Sequence, residues 1–131
     1  MNDASIELEE WKRHRLKYVF AMFFVQKIIW ADDIVAPEEL SYVQEQFPST
    51  LLSALQLTDS KEFPAILEVA LEMLPQALSE DEKLQVIGLC FGAAASTGTV
   101  NPGEIAIIQV AAEKLQLSNE LLFEYIQELL F

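Results

Sequence analysis

From Tyr18 to Trp30 the chain is apolar on nearly every face of a helix, carrying Phe20, Met22, Phe23, Phe24, Val25, Ile28, Ile29 and Trp30. Upstream, the same helix, drawn from about Ile6 to Ala31, is charged. A helix that is apolar all round belongs in the centre of a bundle. The apolar stretch is interrupted by Gln26 and Lys27 and is too short for a bilayer, which needs about 20 residues, so it reads as a buried helix and not a span. A second helix is expected from Pro37 to just before Pro48, with Leu40, Val43 and Phe47 as its stripe. The connection from Ser49 to Asp59 has room for a short turn of helix at Thr50 to Leu55. A third helix covers about Glu62 to Leu78, with Phe63, Ile66, Leu67, Ala70, Leu71 and Leu74 on one side. Ser79-Glu80-Asp81-Glu82 fits a capping box, in which the serine takes the third amide and the glutamate reaches back. The helix it opens runs to about Ser96 and holds Gly88, Gly92, Ala93, Ala94 and Ala95, a flat face that complements the bulky first helix. A further helix spans Pro102 to about Leu115, and Ser118 caps a last one.

One phrase occurs twice, 65 residues apart: Val35-Ala36-Pro37-Glu38-Glu39-Leu40 and Val100-Asn101-Pro102-Gly103-Glu104-Ile105. Each follows a polar turn, Asp32-Asp33 and then Thr97-Gly98. Proline at the first helical position costs no hydrogen bond, because that amide has no partner within the helix. Glu39 and Glu104 fall at the third helical position, where a carboxylate favours the helix dipole and can bond back to the cap amide. Val35 with Leu40, and Val100 with Ile105, have the spacing of a hydrophobic staple. Asn101 is a good cap residue and Ala36 a poor one. The expected architecture is therefore all-α: one domain over residues 1–131, a helical bundle of about six helices with two pseudo-repeated helical hairpins.

Composition agrees. Apolar residues make up 52% of the 131, enough for a real core, and glycine is scarce at four. The formal charge is −13, unevenly spread: Lys12, Arg13, Arg15 and Lys17 cluster in the first helix, while from Ala31 onward three lysines face seventeen acidic residues. Such a surface repels phosphate backbones and anionic lipid, so neither nucleic acid nor membrane is an expected partner. It suits cations or basic proteins. A lone cysteine, Cys90, rules out an internal disulfide framework and fits a reducing compartment. The start of the chain lacks a basic-then-apolar signal pattern, so a cytoplasmic location is expected.

Asp32, Asp33, Glu38 and Glu39 place four carboxylates within eight residues across a helix-turn-helix. Hard divalent cations take oxygen ligands, and clustered carboxylates repel one another unless a cation or proton intervenes. The spacing is not that of an EF-hand, which needs alternating ligands and a glutamate at the twelfth position. The second turn offers Thr97, Asn101 and Glu104, hence one carboxylate.

At these residues the chain resembles the TerB-like (tellurite-resistance) family of small helical domains. That family shows an apolar helix, then Ala-Asp-Gly, and a glutamate opening the next helix, repeated later. Ala31-Asp32-Asp33 with Glu39 matches the first copy, with Asp33 where glycine is usual; Gly98 and Glu104 match the second, with Thr97 in place of aspartate. Gln116-Leu117-Ser118 before a final amphipathic helix is similar to the family's ending. The resemblance covers roughly Leu16 to Leu129. It implies an all-helical domain tied to tellurite and other stress responses, with a divalent cation as ligand on Asp32, Glu39 and Glu104, to which Asp33 adds a carboxylate.

Other chemistry is sparse. His14 is the only histidine, set among basic residues, so a histidine zinc site is excluded. Cys90 has no adjacent base and reads as a buried, inert thiol. Ser96-Thr97-Gly98-Thr99 lacks the lysine of a phosphate loop. No polar constellation accompanies the paired carboxylates, so no enzymatic activity is expected. The ending, Leu121-Leu122-Phe123, Tyr125-Ile126 and Leu129-Leu130-Phe131, is too apolar for a free tail. It packs on the core or forms a groove for a protein partner or a second copy, and Trp11 could extend that surface. Two functions compete: a non-catalytic domain holding a divalent cation at Asp32, Asp33, Glu39 and Glu104, and an interaction or self-association module, such as a homodimer, without a metal site.

Overall fold

Helix starts and stops written into the chain set the architecture. The computed structural model describes residues 10–31, 35–59, 61–98 and 100–130. They form seven helices: α1 (Glu10–Ile29), α2 (Pro37–Gln46), α3 (Ser49–Ala54), α4 (Phe63–Ala77), α5 (Glu80–Ala95), α6 (Pro102–Lys114) and α7 (Asn119–Leu130). No strand occurs among the described residues, and no helix there is long and apolar enough to cross a membrane. The protein is all-helical, as its spacing predicts, and α3 is the short turn of helix expected after Pro48.

Prolines stand in the first turn of α2, α4 and α6, where a missing N–H costs nothing. Ser79 Oγ accepts from the Glu82 amide at 3.2 Å and Glu82 Oε1 accepts from the Ser79 amide at 3.1 Å, the reciprocal box that opens α5. Ser118 Oγ accepts from the Leu121 amide at 3.3 Å to open α7.

Two helices also stop in the same way, at Leu55-Gln56-Leu57 and Leu115-Gln116-Leu117. Gln56 (φ 56°) and Gln116 (φ 58°) adopt the left-handed conformation that ends a helix. The Leu57 amide then donates to Leu52 O at 2.8 Å and the Leu117 amide to Ala112 O at 2.9 Å. A left-handed glutamine costs roughly 1–2 kcal/mol. Burial of the leucines on both sides of each glutamine offsets that cost. These stops lie 60 residues apart, not 65, because the first half carries five extra residues between start and stop. Pro48 lies in that stretch and divides α2 from α3, whereas α6 is unbroken.

α1 lies at the centre, packed against α4, α5 and α6, while α5 also packs on α6 and α2. Ala21, Phe24, Val25, Ile28 and Ile29 of α1 are buried together with Val86, Cys90, Ala93 and Ala94 of α5. In the 65-residue register Ile28 and Ile29 correspond to Ala93 and Ala94, so the two helices carry large and small side chains at matching places in one core.

Three expectations shift in detail. The glycines of α5 take tyrosines from elsewhere and not the aromatic residues of α1: a Cβ on Gly92 would strike the Tyr42 ring, and one on Gly88 the Tyr125 hydroxyl. Trp30 is not central but 59% exposed, lying past the last turn of α1. Leu40 is 51% exposed, so it does not belong to the stripe of α2, and Glu39 is buried beside Val43 and Phe47 instead. A capping carboxylate must reach back to the cap amide, here that of Ala36, and that demand rotates Leu40 outward.

Candidate functional site

The repeated turns come first. The Ala36 amide donates to Glu39 Oε1 at 2.9 Å, and the Asn101 amide to Glu104 Oε1 at 2.9 Å. Both glutamates are buried, at 4% and 5% exposure. The second turn is closed from both sides, because Asn101 Oδ1 also accepts from the Glu104 amide at 2.9 Å. Ala36 has no such oxygen, and the Glu39 amide settles on the Ala36 carbonyl at 3.0 Å. The expected cation ligands therefore divide. Asp32 and Asp33 lie outside the described residues, Glu39 and Glu104 each hold a cap amide, and Glu38 is exposed. Among the described residues no three histidine, cysteine, aspartate or glutamate side chains gather to hold a metal.

A second feature is an apolar groove of about 320 Å³ between α1 and α4, with Trp11, Leu16, Ile66, Val69 and Met73 as walls and Lys12 and Arg15 at its rim. Two of the side chains that line it are held by the end of α3. A helix end leaves carbonyls without partners, and here Trp11 Nε1 donates to Ala54 O at 3.2 Å while Arg15 Nε donates to Leu55 O at 3.0 Å. Arg15 also donates to Gln56 O at 3.1 Å, meets Glu62 at 3.7 Å and lies over the Trp11 ring at 5.6 Å. Trp11 is thereby fixed in place yet 40% exposed, next to Val69 at 43%. A similar groove of about 450 Å³ has Phe23, Leu71, Ile107 and Val110 as walls and Lys27 and Lys114 at its edge.

The third feature is a polar groove of about 440 Å³ among α1, α2, α5 and α7, formed by Lys17, Tyr18, Tyr42, Gln46, Gln85 and Tyr125 with Gly88, Leu89 and Leu129. Lys17 is 7% exposed, and its Nζ donates to Gln85 Oε1 at 2.9 Å. The Tyr42 hydroxyl donates to Leu89 O at 2.7 Å. Burial, with Cys90 and Tyr125 nearby, pushes the Tyr42 hydroxyl up to about 12; burial and Glu128 raise that of Tyr125. Both tyrosines thus remain proton donors at neutral pH. Below this groove, burial works to raise the Glu82 carboxyl, but its bonds to Ser79 and the charges of Arg13 and Lys17 hold it under its ordinary value. Arg13 Nε stands 3.2 Å from Glu82 Oε2 without pointing its N–H there, an ion pair and not a hydrogen bond.

Sequence reasoning counts Lys17 among a basic cluster and misses this groove. The signal was available: Lys17 falls in register with Ala21, Phe24 and Ile28, so it lies on the core stripe of α1. No family model matches the chain, and neither does any curated protein or solved structure.

Proposed function

We propose that the protein is a non-catalytic interaction module that associates with a second copy of itself, the groove between α1 and α4 receiving the outer face of α7. The supporting observation is complementarity on one chain. Glu120, Phe123, Glu124, Gln127 and Glu128 are exposed along α7 at spacings of three and four, and Phe123 is 56% exposed. That face offers one large apolar anchor between carboxylates and no basic residue. The groove offers an apolar floor of matching kind, with Lys12 and Arg15 on its α1 side. Glu68 and Glu72 are exposed on α4, so the basic residues stand on one side only, which orients the guest. A tryptophan stacked under an arginine is also the side-chain chemistry that dominates binding energy at interfaces. The Phe23 groove lacks it.

Because groove and α7 are different surfaces, the contact is head-to-tail and extends or closes into rings according to its rotation. Sedimentation velocity over a range of concentrations tests it. The expected result is concentration-dependent mass increase, abolished by Val69→Asp and untouched by Val110→Asp, which alters the other groove. A monomer at every concentration, or equal loss in both variants, would count against the reading.

A second reading follows the TerB-like resemblance: a divalent cation bound at the acidic turn, in a stress-related setting. What favours it is that Glu39 and Glu104, the glutamates to which the resemblance points, are both buried at matching places in the two halves. Calorimetric titration of metal-free protein with calcium, magnesium, manganese and zinc decides. Saturable binding lost in the Asp32→Asn/Asp33→Asn variant supports it; heats unchanged in that variant reduce the turn to helix capping.

A further inference from the structure

We infer that the polar groove among α1, α2, α5 and α7 is a binding site for a small organic monocarboxylate, seated on Lys17. A buried ammonium is costly unless a carboxylate and further hydrogen bonds accompany it. The chain has 21 acidic residues, and both arginines of α1 meet one: Arg13 with Glu82 and Arg15 with Glu62. Lys17 does not. Among the described residues its hydrogen bond goes to the neutral Gln85 amide, and no carboxylate lies within ion-pair distance. An ammonium has three N–H donors, so two stay available beyond that bond, and Lys17 lines the groove.

The surroundings supply the rest of a carboxylate site. Tyr18, Gln46 and Tyr125 line the same groove, and the two hydroxyls and the amide donate to and accept from no other described residue. Tyr42 has its proton committed to Leu89 O, which fixes the ring against Gly92 and shapes the wall. Gly88 admits the Tyr125 hydroxyl to the helix surface, where a Cβ would meet it at 2.5 Å. Leu89 and Leu129 give an apolar wall for the body of the guest.

Charge limits the guest to one negative group. Among the described residues Lys17 is the one cation lining the groove, while Glu128 acts on Tyr125 and Glu82, which feels the charge of Lys17, lies outside it. A phosphate dianion would find one cation and two nearby carboxylates, and would be repelled. A monocarboxylate is balanced by Lys17 alone and can take further bonds from tyrosine hydroxyls, which are neutral donors.

Nitrogen–proton chemical-shift titration of the full chain tests this, with benzoate, benzamide and inorganic phosphate as probes. Benzoate is expected to saturate, moving amides around Lys17, Gln85 and Tyr125. Benzamide, which has the same shape without the charge, and phosphate should each bind at least tenfold more weakly. Lys17→Met keeps the stem and removes the ammonium, and should weaken benzoate at least tenfold. If that variant does not fold, Tyr125→Phe, which removes only a hydroxyl, is expected to weaken benzoate several-fold. Absence of saturable benzoate binding, equal binding of benzamide, tighter binding of phosphate, or full benzoate affinity in the variant measured would each overturn the assignment. The site uses Tyr125 and Leu129 of α7, not its Phe123 face or the α1–α4 groove, so the outcome is separate from that of self-association.

Discussion

At Pro102 the helix start is held from both sides, Asn101 taking the Glu104 amide and Glu104 returning the bond, whereas at Pro37 only the returning bond exists. The two halves of the molecule therefore solve one geometric problem with unequal means. The same inequality recurs downstream: Pro48 splits α2 from α3, yet both halves end on the same Leu-Gln-Leu stop. The buried glutamate, the leading proline and the left-handed glutamine are what the two halves share. The cap residue, the helix length and the bulk of the central helix are where they differ. What is shared fixes chain direction, and what differs lets one half pack into the other.

The largest expected difference between the halves is at alkaline pH. Cys90 occupies the place in α5 that Val25 occupies in α1, and burial pushes its thiol from 9.0 to about 12. The folded state keeps the proton while the unfolded chain loses it above about 9, so stability is fully present below that pH and falls as pH rises toward 12. The loss by pH 12 is on the order of 4 kcal/mol at about 1.4 kcal/mol per decade of proton affinity. Cys90→Val, which copies the α1 residue, should shrink the alkaline loss seen by denaturant unfolding at pH 8 and pH 11. Tyr42, raised to about 12, would sustain the smaller part that remains.

Packing between the halves comes next. Gly92→Ala drives a methyl into the Tyr42 ring and should cost about 1–3 kcal/mol in thermal or denaturant unfolding, as overpacking does. Its counterpart in α1 is Lys27, an exposed residue over the Phe23 ring, and Lys27→Ala should change stability by no more than about 0.5 kcal/mol. Equal effects would contradict the unequal packing of the two helices.

The turns themselves give smaller effects. Glu39→Ala leaves the Ala36 amide without its acceptor and should destabilise by about 1–2 kcal/mol, and Glu104→Ala by a similar amount. Smallest, Asn101→Ala should cost about 1 kcal/mol, while Ala36→Asn should stabilise by about 0.5–1 kcal/mol by completing the missing half of the box. A destabilising Ala36→Asn would show that the first turn is shaped by something other than capping.

Much of the fold was legible because local chemistry punctuates it. Pro37, Ser79, Pro102 and Ser118 each mark a helix start that the structure keeps. Less legible was which face of a helix turns inward. Leu40 looks like a core residue by type, but the capping demand of Glu39 outweighs one leucine's burial. Trp30 belongs to an apolar run yet falls beyond the last turn of α1, where the core has ended. The Lys17 groove was hidden for another reason: its walls come from four helices, and Tyr42, Gln85 and Tyr125 carry no shared spacing along the chain. The α1–α4 groove was half visible, since Trp11 and the basic cluster are adjacent in sequence, but Val69 and Met73 join them only through the packing of α4 on α1.

Self-association through two different surfaces has one direct test: mixing two crippled variants. Val69→Asp keeps an intact α7 face, and Phe123→Ser keeps an intact groove. Each alone should sediment as a monomer, and the mixture should form a 1:1 dimer that goes no further. A mixture that stays monomeric while the unaltered chain associates, or variants that associate alone, would contradict the docking of α7 into the α1–α4 groove.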